Sequence, residues 1–195
     1  MPPEQRREQL VDAALGVILA HGYSGVSIEA IAKAAGVTRP VVYDHFPNLG
    51  RLLHALIERE ENYALAQLAE VVPGDPGDRD PAELLASGVR RFLNAVASRP
   101  ATWRLILLPL EGTPALVRDQ VESNRAQTLE RIRRLVAWAV ERSGLPVELD
   151  ADLTARSILS LGEAAGRTVL TEPERYSPER YERFVATVMG LIWPR

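Results

Sequence analysis

The chain has 195 residues, with 23 basic and 26 acidic side chains, three histidines and no cysteine, so disulfides, thiolate zinc sites and cysteine nucleophiles are excluded. Hydrophobic residues at 46% and charged residues at 25% are ordinary globular usage, which sets wholesale disorder aside. No apolar run reaches the roughly 18 residues of a membrane span and no secretory leader opens the chain, so the expectation is a cytoplasmic protein with no membrane partner.

Apolar residues recur at helical spacing throughout, with no convincing period-2 run, which predicts an all-α fold of nine helices. Leu10, Ala14, Val17, Ile18 and His21 trace one face of a first helix that ends near Gly22. Ser27 caps a second helix with Ile28, Ile31, Ala32 and Ala35 on one side, and Gly36 follows as its stop. Thr38 stands at the cap position of a short third helix. Pro40 falls in its first turn, where a missing N–H costs little, and Val42 and Phe46 face inward. A long fourth helix runs from about Asn48 to Val72. The stretch from Pro73 to Pro81 is rich in Pro, Gly and Asp and reads as a loop. Asp80-Pro81-Ala82-Glu83 starts a fifth helix that ends before Pro100. A short sixth spans Ala101 to Leu108. Thr113-Pro114 opens a seventh that lasts to about Ser143, with Gly144 as its stop; at about 1.5 Å per residue it is roughly 45 Å long. Asp150 caps an eighth helix to about Thr171, and Ser177-Pro178 opens a ninth that ends near Trp193.

Two short helices joined by Ala35-Gly36-Val37-Thr38 have the dimensions of a helix-turn-helix or of an ordinary helical hairpin. In the first case the second helix enters the DNA major groove and its N-terminal residues meet base edges. Bulk charge gives no support: residues 1–55 hold five basic and five acidic side chains, so binding would rest on a local patch.

The motifs Gly22-Tyr23, Ser27-Ile28, Ile31-Ala32, Ala35-Gly36-Val37-Thr38, Val42-Tyr43 and His45-Phe46-Pro47 resemble the DNA-binding signature of the tetracycline-repressor-like (TetR) family. The resemblance is dense over roughly residues 5–57; beyond them it is architectural. It implies a helix-turn-helix domain over residues 1–50 and an effector-binding and dimerisation domain over 51–195.

The chemistry of the residues agrees with that implication. Ser27 and Thr38 sit at helix N-termini, where backbone N–H groups and the dipole favour phosphate. Tyr43 offers a phenol to a phosphate oxygen or packs half-buried. Arg39, beside Pro40, is the one long cation on the reading face and bonds either a guanine O6/N7 edge or a phosphate. Val41 touches a thymine methyl or the core, and His45 contacts phosphate or packs at the helix end. Arg6 and Arg7 form an arm over the DNA or a solvated helix start. After Phe46-Pro47-Asn48 the family usually has a phosphate-anchoring Lys; here Leu49 and Gly50 follow, with Arg51 as a substitute one turn on.

In the family the last two helices form a four-helix bundle with a twofold mate. Ile158, Leu159, Gly162, Ala165, Gly166 and Val169 of the eighth helix and Phe184, Val185, Val188 and Met189 of the ninth are the expected homodimer interface. Helices four to seven would enclose an effector cavity lined by Phe92, Trp103, Leu107, Leu110 and Trp138. Asn124 and Thr128 would supply polar groups on an otherwise apolar ridge, with Glu163 a weaker candidate. The expectation is a ligand-responsive regulator, a repressor that binds a palindromic double-stranded operator as a dimer and is released by a small-molecule effector. The alternatives are an activator, a ligand-independent regulator, or a small all-α enzyme, for which no acid pair, nucleophile with base or metal cluster speaks. No cofactor is expected.

Overall fold

The computed structural model describes residues 1–72, 75–108, 112–143 and 149–192. Among the described residues there are nine α-helices, one 3-10 turn and no strand. The helices are α1 Pro3–His21, α2 Ile28–Ala34, α3 Arg39–His45, α4 Leu49–Val71, α5 Pro81–Ser98, α6 Pro100–Leu107, α7 Ala115–Ser143, α8 Ala151–Thr171 and α9 Pro178–Ile192, with the 3-10 turn at Tyr23–Gly25. The expected stops at Gly144 and Trp193 lie outside the described residues. No helix among the described residues is long and apolar enough to cross a membrane.

Several boundaries follow from local chemistry. Ser27, Asn48, Asp80 and Asp150 each accept a backbone N–H in the first turn of the helix they precede. α2 ends where Gly36 takes φ +65°, and Val37 N–H reaches back to the Ala32 carbonyl at 2.9 Å, a left-handed C-terminal closure. α1 begins earlier than its apolar face, at Pro3, so Arg6 and Arg7 lie within a helix and form no arm. His21, expected on the inward face of α1, is exposed.

Three apolar clusters build the core. The first joins α1, α2, α3 and the start of α4 through Leu10, Ile18, Ile31, Val42, Phe46 and Leu52, and it takes in Leu56 and Val117 from further along the chain. The second packs α4, α5, α6 and α8 around Leu93, Val96 and Trp103. The third joins the end of α4 to α7 and α8 through Val72, Ile132, Val136 and Ala155. One helix, α4, contributes to all three, and the expected division at residue 50 falls inside its first turn.

Candidate DNA-reading surface and effector cavity

α3 is short, and side chains of α1 hold it in place. Gln9 donates from Nε2 to the Ala35 carbonyl at 2.9 Å, which closes the end of α2. Arg7 donates to the His45 carbonyl at 3.1 Å and lies 4.1 Å from the centroid of the Phe46 ring, which closes the end of α3. Both contacts satisfy C-terminal carbonyls that a helix leaves free. Buried Val42 and Phe46 fix the roll of α3, and the opposite face is presented to solvent.

That face holds Thr38, Arg39, Pro40, Tyr43 and Asp44, all exposed; Tyr43 has 47% of its surface accessible. Thr38 occupies the cap position, but its hydroxyl makes no capping bond. Val41 and His45 are half-buried, and the His45 carbonyl is the acceptor for Arg7. Ser27 is exposed at the start of α2, where its Oγ accepts the Ala30 N–H at 3.0 Å. At the foot of α3 a polar cleft of about 380 Å³ is lined by Arg7, Pro47, Arg51, His54 and Glu58. Leu49 is half-buried against the first apolar cluster, whereas Arg51 is exposed.

The second region is a cavity of about 970 Å³ enclosed by α4 to α9. Its size lies at the upper end of the roughly 300–1,000 Å³ of small-molecule sites. Phe92, Trp103, Leu107, Asn124, Thr128 and Trp138 all line it; Leu110 lies outside the described residues. Phe92 and Trp103 meet edge to face with ring centroids 5.2 Å apart, and the indole Nε1 donates to Gln67 Oε1 at 3.0 Å. Thr128 Oγ1 donates to the Asn124 carbonyl one turn back, so its proton is used within α7. Glu163 is held by Arg125, with Nε to Oε1 at 2.6 Å; that bond, more than any other influence, raises the Arg125 pKa. Glu61, Glu122, Arg125 and Arg167 complete the charged part of the wall, and the sequence reading missed all four. A helical wheel drawn on the known roll of α4, α7 and α8 would have placed them; apolar periodicity alone does not.

The residues expected at the dimer face divide between the monomer core, the cavity and the surface. Ala165, Gly166 and Val169 are buried within the monomer, and Ile158, Leu159 and Gly162 turn toward the cavity. A Cβ on Gly166 would stand 2.7 Å from Leu107 Cδ1 and 3.4 Å from two ring atoms of Phe92, so this glycine permits close approach of α8 to α5 and α6. Val185, Val188 and Met189 are half-buried where α9 packs along α5. Of the expected set only Phe184 is exposed, at 64%. The outer face of α8 instead carries Leu153 (62%) and Leu161 (71%) among exposed Ser157, Ser160 and Ala164.

A relay joins the two regions. Arg59 of α4 donates to Glu8 and Asp12 of α1, each at 2.8 Å, and pairs with its neighbour Glu60. Burial pulls the Arg59 pKa down, but the three carboxylates outweigh it and the net shift is upward. Glu60, itself buried, accepts from the buried Thr102 hydroxyl on α6, beside the cavity residue Trp103.

A helix-turn-helix joined through one helix, α4, to a helical domain with a large apolar cavity defines a DNA-binding regulator. Residues 10–56 match the model described as bacterial regulatory proteins, tetR family, and residues 81–193 match the model described as tetracyclin repressor-like, C-terminal domain. The chain belongs to the TetR family of helix-turn-helix transcriptional regulators. It is 27% identical to the HTH-type transcriptional regulator SrpR of Pseudomonas putida, over 97% of this chain and 84% of that one. Among solved structures, a TetR-like transcriptional regulator from Rhodococcus sp. RHA1 shares the fold with a TM-score of 0.76, 24% identity and 99% of each chain covered. A SmeT–triclosan complex shares it with a TM-score of 0.72, 22% identity, 96% of this chain and 91% of that one.

Proposed function

We propose that this chain is a dimeric, effector-released repressor that acts on DNA in the cytoplasm. The observation that carries the reading is the double duty of α4. Its start, through Leu52 and Leu56, is part of the core that seats the recognition helix. Further along, Ala64, Leu65, Leu68 and Val71 form a wall of the cavity. A ligand that moves that wall moves the seat of α3. The solved relative with triclosan supports a small molecule in this kind of domain.

Arg39, Pro40, Val41 and Tyr43 would read or flank bases, with Ser27, Thr38, His45 and Arg51 on phosphates. The apolar outer face of α8, continued by Phe184 of α9, is the surface a second copy would cover. A C2 pair then presents two recognition helices about 34 Å apart to a palindrome. The effector releases DNA only if it binds the DNA-free form more tightly, since a ligand shifts a balance by its differential affinity alone.

Selection of binding sites from random duplexes with the purified protein tests the DNA half. The expected product is an inverted repeat bound by two subunits. A gel shift that weakens when the cavity is filled tests the release. Recovery of no enriched sequence would overturn the reading.

A further inference from the structure

The charged groups around the cavity are unevenly satisfied. Arg125 and Glu163 hold each other, and Glu122 adds its field to the same arginine. Glu61 of α4 is not provided for in this way. Its Oε1 is buried and has no hydrogen-bond partner. Burial raises its pKa, with Glu58 adding to the rise and His54 opposing it. A carboxylate oxygen withdrawn from water without a donor is costly, so a ligand that brings a donor recovers that cost on binding. The wall next to it is apolar: Ala64, Leu65 and Leu68 on the same helix, with Ile106 and Leu107 from α6.

The sign of the ligand follows from the balance. Glu61, Glu122 and Glu163 share the cavity wall with Arg125 and Arg167, and Arg125 is already neutralised by Glu163. An anionic head would meet an excess of acid and have only half-buried Arg167 to pair with. A cationic head meets an unpartnered buried acceptor. Charge-assisted hydrogen bonds are roughly twice as strong as neutral ones, so an ammonium gains more at Glu61 than a hydroxyl of the same reach.

We propose that the effector is a cationic amphiphile, with a long apolar body in the cavity and an amine donating to Glu61. This rests on the reading of the cavity as the effector site. The position also suits signalling. Glu61 follows Glu60 in α4, and Glu60 is the buried link between Thr102 and the Arg59 contacts to α1. A head group seated on Glu61 therefore acts on the turn of α4 that is tied to the DNA-binding domain.

The test uses three probes that share one chain length: dodecylamine, dodecanol and dodecanoic acid. Each competes with the dye N-phenyl-1-naphthylamine for the intact protein at neutral pH, below micelle-forming concentrations. Dodecylamine should displace the dye about tenfold more tightly than dodecanol, a difference of about 1.4 kcal/mol. The advantage should shrink in Glu61→Gln, which keeps the shape and removes the charge, and vanish in Glu61→Leu. Dodecanol should change less than dodecylamine across the three proteins, because its neutral hydroxyl gains less at Glu61. Tighter binding of dodecanoic acid, or an amine preference untouched by both substitutions, would overturn the head-group assignment and leave the cavity as an effector site. Failure of the dye and all three probes to bind the native chain would overturn both.

Discussion

Thr102 of α6 donates its hydroxyl proton to Glu60 of α4, and both side chains are buried. Neither would be placed there for packing alone. A buried carboxylate is tolerated only when its oxygens are satisfied, and here Arg59 takes Oε1 and Thr102 takes Oε2. Arg59 in turn reaches Glu8 and Asp12 on α1. The result is a polar spine from α6, at the cavity, through α4 to the first helix of the DNA-binding domain.

Replacing Thr102 by Val keeps the shape and deletes the donor. The buried Glu60 oxygen is then unsatisfied, which should cost about 1–3 kcal/mol in urea unfolding. The same variant should respond less to a cavity ligand in operator binding. A variant as stable as the native chain would show that Thr102 does not support Glu60.

Tyr23 packs in the first cluster with its hydroxyl buried and unpartnered. Burial disfavours the phenolate and pushes the pKa up to about 12. Since the folded pKa lies above the ordinary value near 10, the group's contribution is complete below about pH 10 and is lost as the pH rises toward 12. The loss is on the order of 3 kcal/mol at most, at about 1.4 kcal/mol per pKa unit. Tyr23→Phe should leave neutral stability unchanged or slightly higher and flatten the fall in urea midpoint between pH 10 and 12. An equally steep alkaline fall in Tyr23→Phe would assign it to other groups.

The helix-turn-helix was legible because its determinants are local. Ser27 caps within three residues, Gly36 supplies a positive φ, and Pro40 fits a first turn; each signal is complete in a short window. Phe92, Trp103, Leu107 and Trp138 were legible as cavity residues because the family resemblance placed a cavity there and these are large apolar side chains at helical spacing in α5, α6 and α7. A subunit face is harder to read. α8 carries two apolar stripes, and on the inner one Gly166 packs closely on Leu107 and Phe92, which makes the same demand for a small residue as a subunit interface, while Gly162 lines the cavity with open space beside it. Glu60, Arg59 and Thr102 were invisible because their partners lie 42 to 51 residues away in the chain.

The proposed outer face gives a direct test of the oligomer. Leu161→Asp, together with Phe184→Asp, places charges on the exposed outer surfaces of α8 and α9, where they disturb nothing within the monomer. Sedimentation at micromolar concentration should show dimer for the native chain and monomer for the double variant. Gly166→Leu should act differently: it meets Leu107 and Phe92 and lowers stability by about 1–3 kcal/mol or more through overpacking. An unchanged dimer for the double aspartate variant would remove this face from the interface.

Arg39 and Tyr43 should separate base reading from backbone anchoring. Both are exposed on α3, one at its first residue and one a turn later. Arg39→Ala should lose about 1–3 kcal/mol per half-site and relax preference at one base pair. Tyr43→Phe should weaken every duplex alike, because a phosphate contact carries no sequence information. Titration against a panel of single-base variants of the selected site distinguishes the two. A uniform loss for Arg39→Ala would move that side chain to the backbone.

Leu49 and Arg51 compete for one role, the phosphate anchor at the start of α4. Leu49 is half-buried against the domain core, so a Lys there would have to leave apolar neighbours before it reached DNA. Arg51, two residues on, is exposed in the polar cleft with Arg7 and His54. Its backbone N–H is held by Asn48 Oδ1 at 2.9 Å, which fixes where the side chain leaves the helix. These placements favour Arg51 as the proposed anchor. Each neutralised phosphate contributes about 0.9 to the slope of log affinity against log salt. Arg51→Ala should flatten the slope of the dimer by about 1.8, two contacts in all. Leu49→Lys should leave it unchanged, since the phosphate is already taken. In Arg51→Ala/Leu49→Lys the new Lys would recover part of the loss. A steeper slope for Leu49→Lys alone, with no change for Arg51→Ala, would return the anchor to position 49.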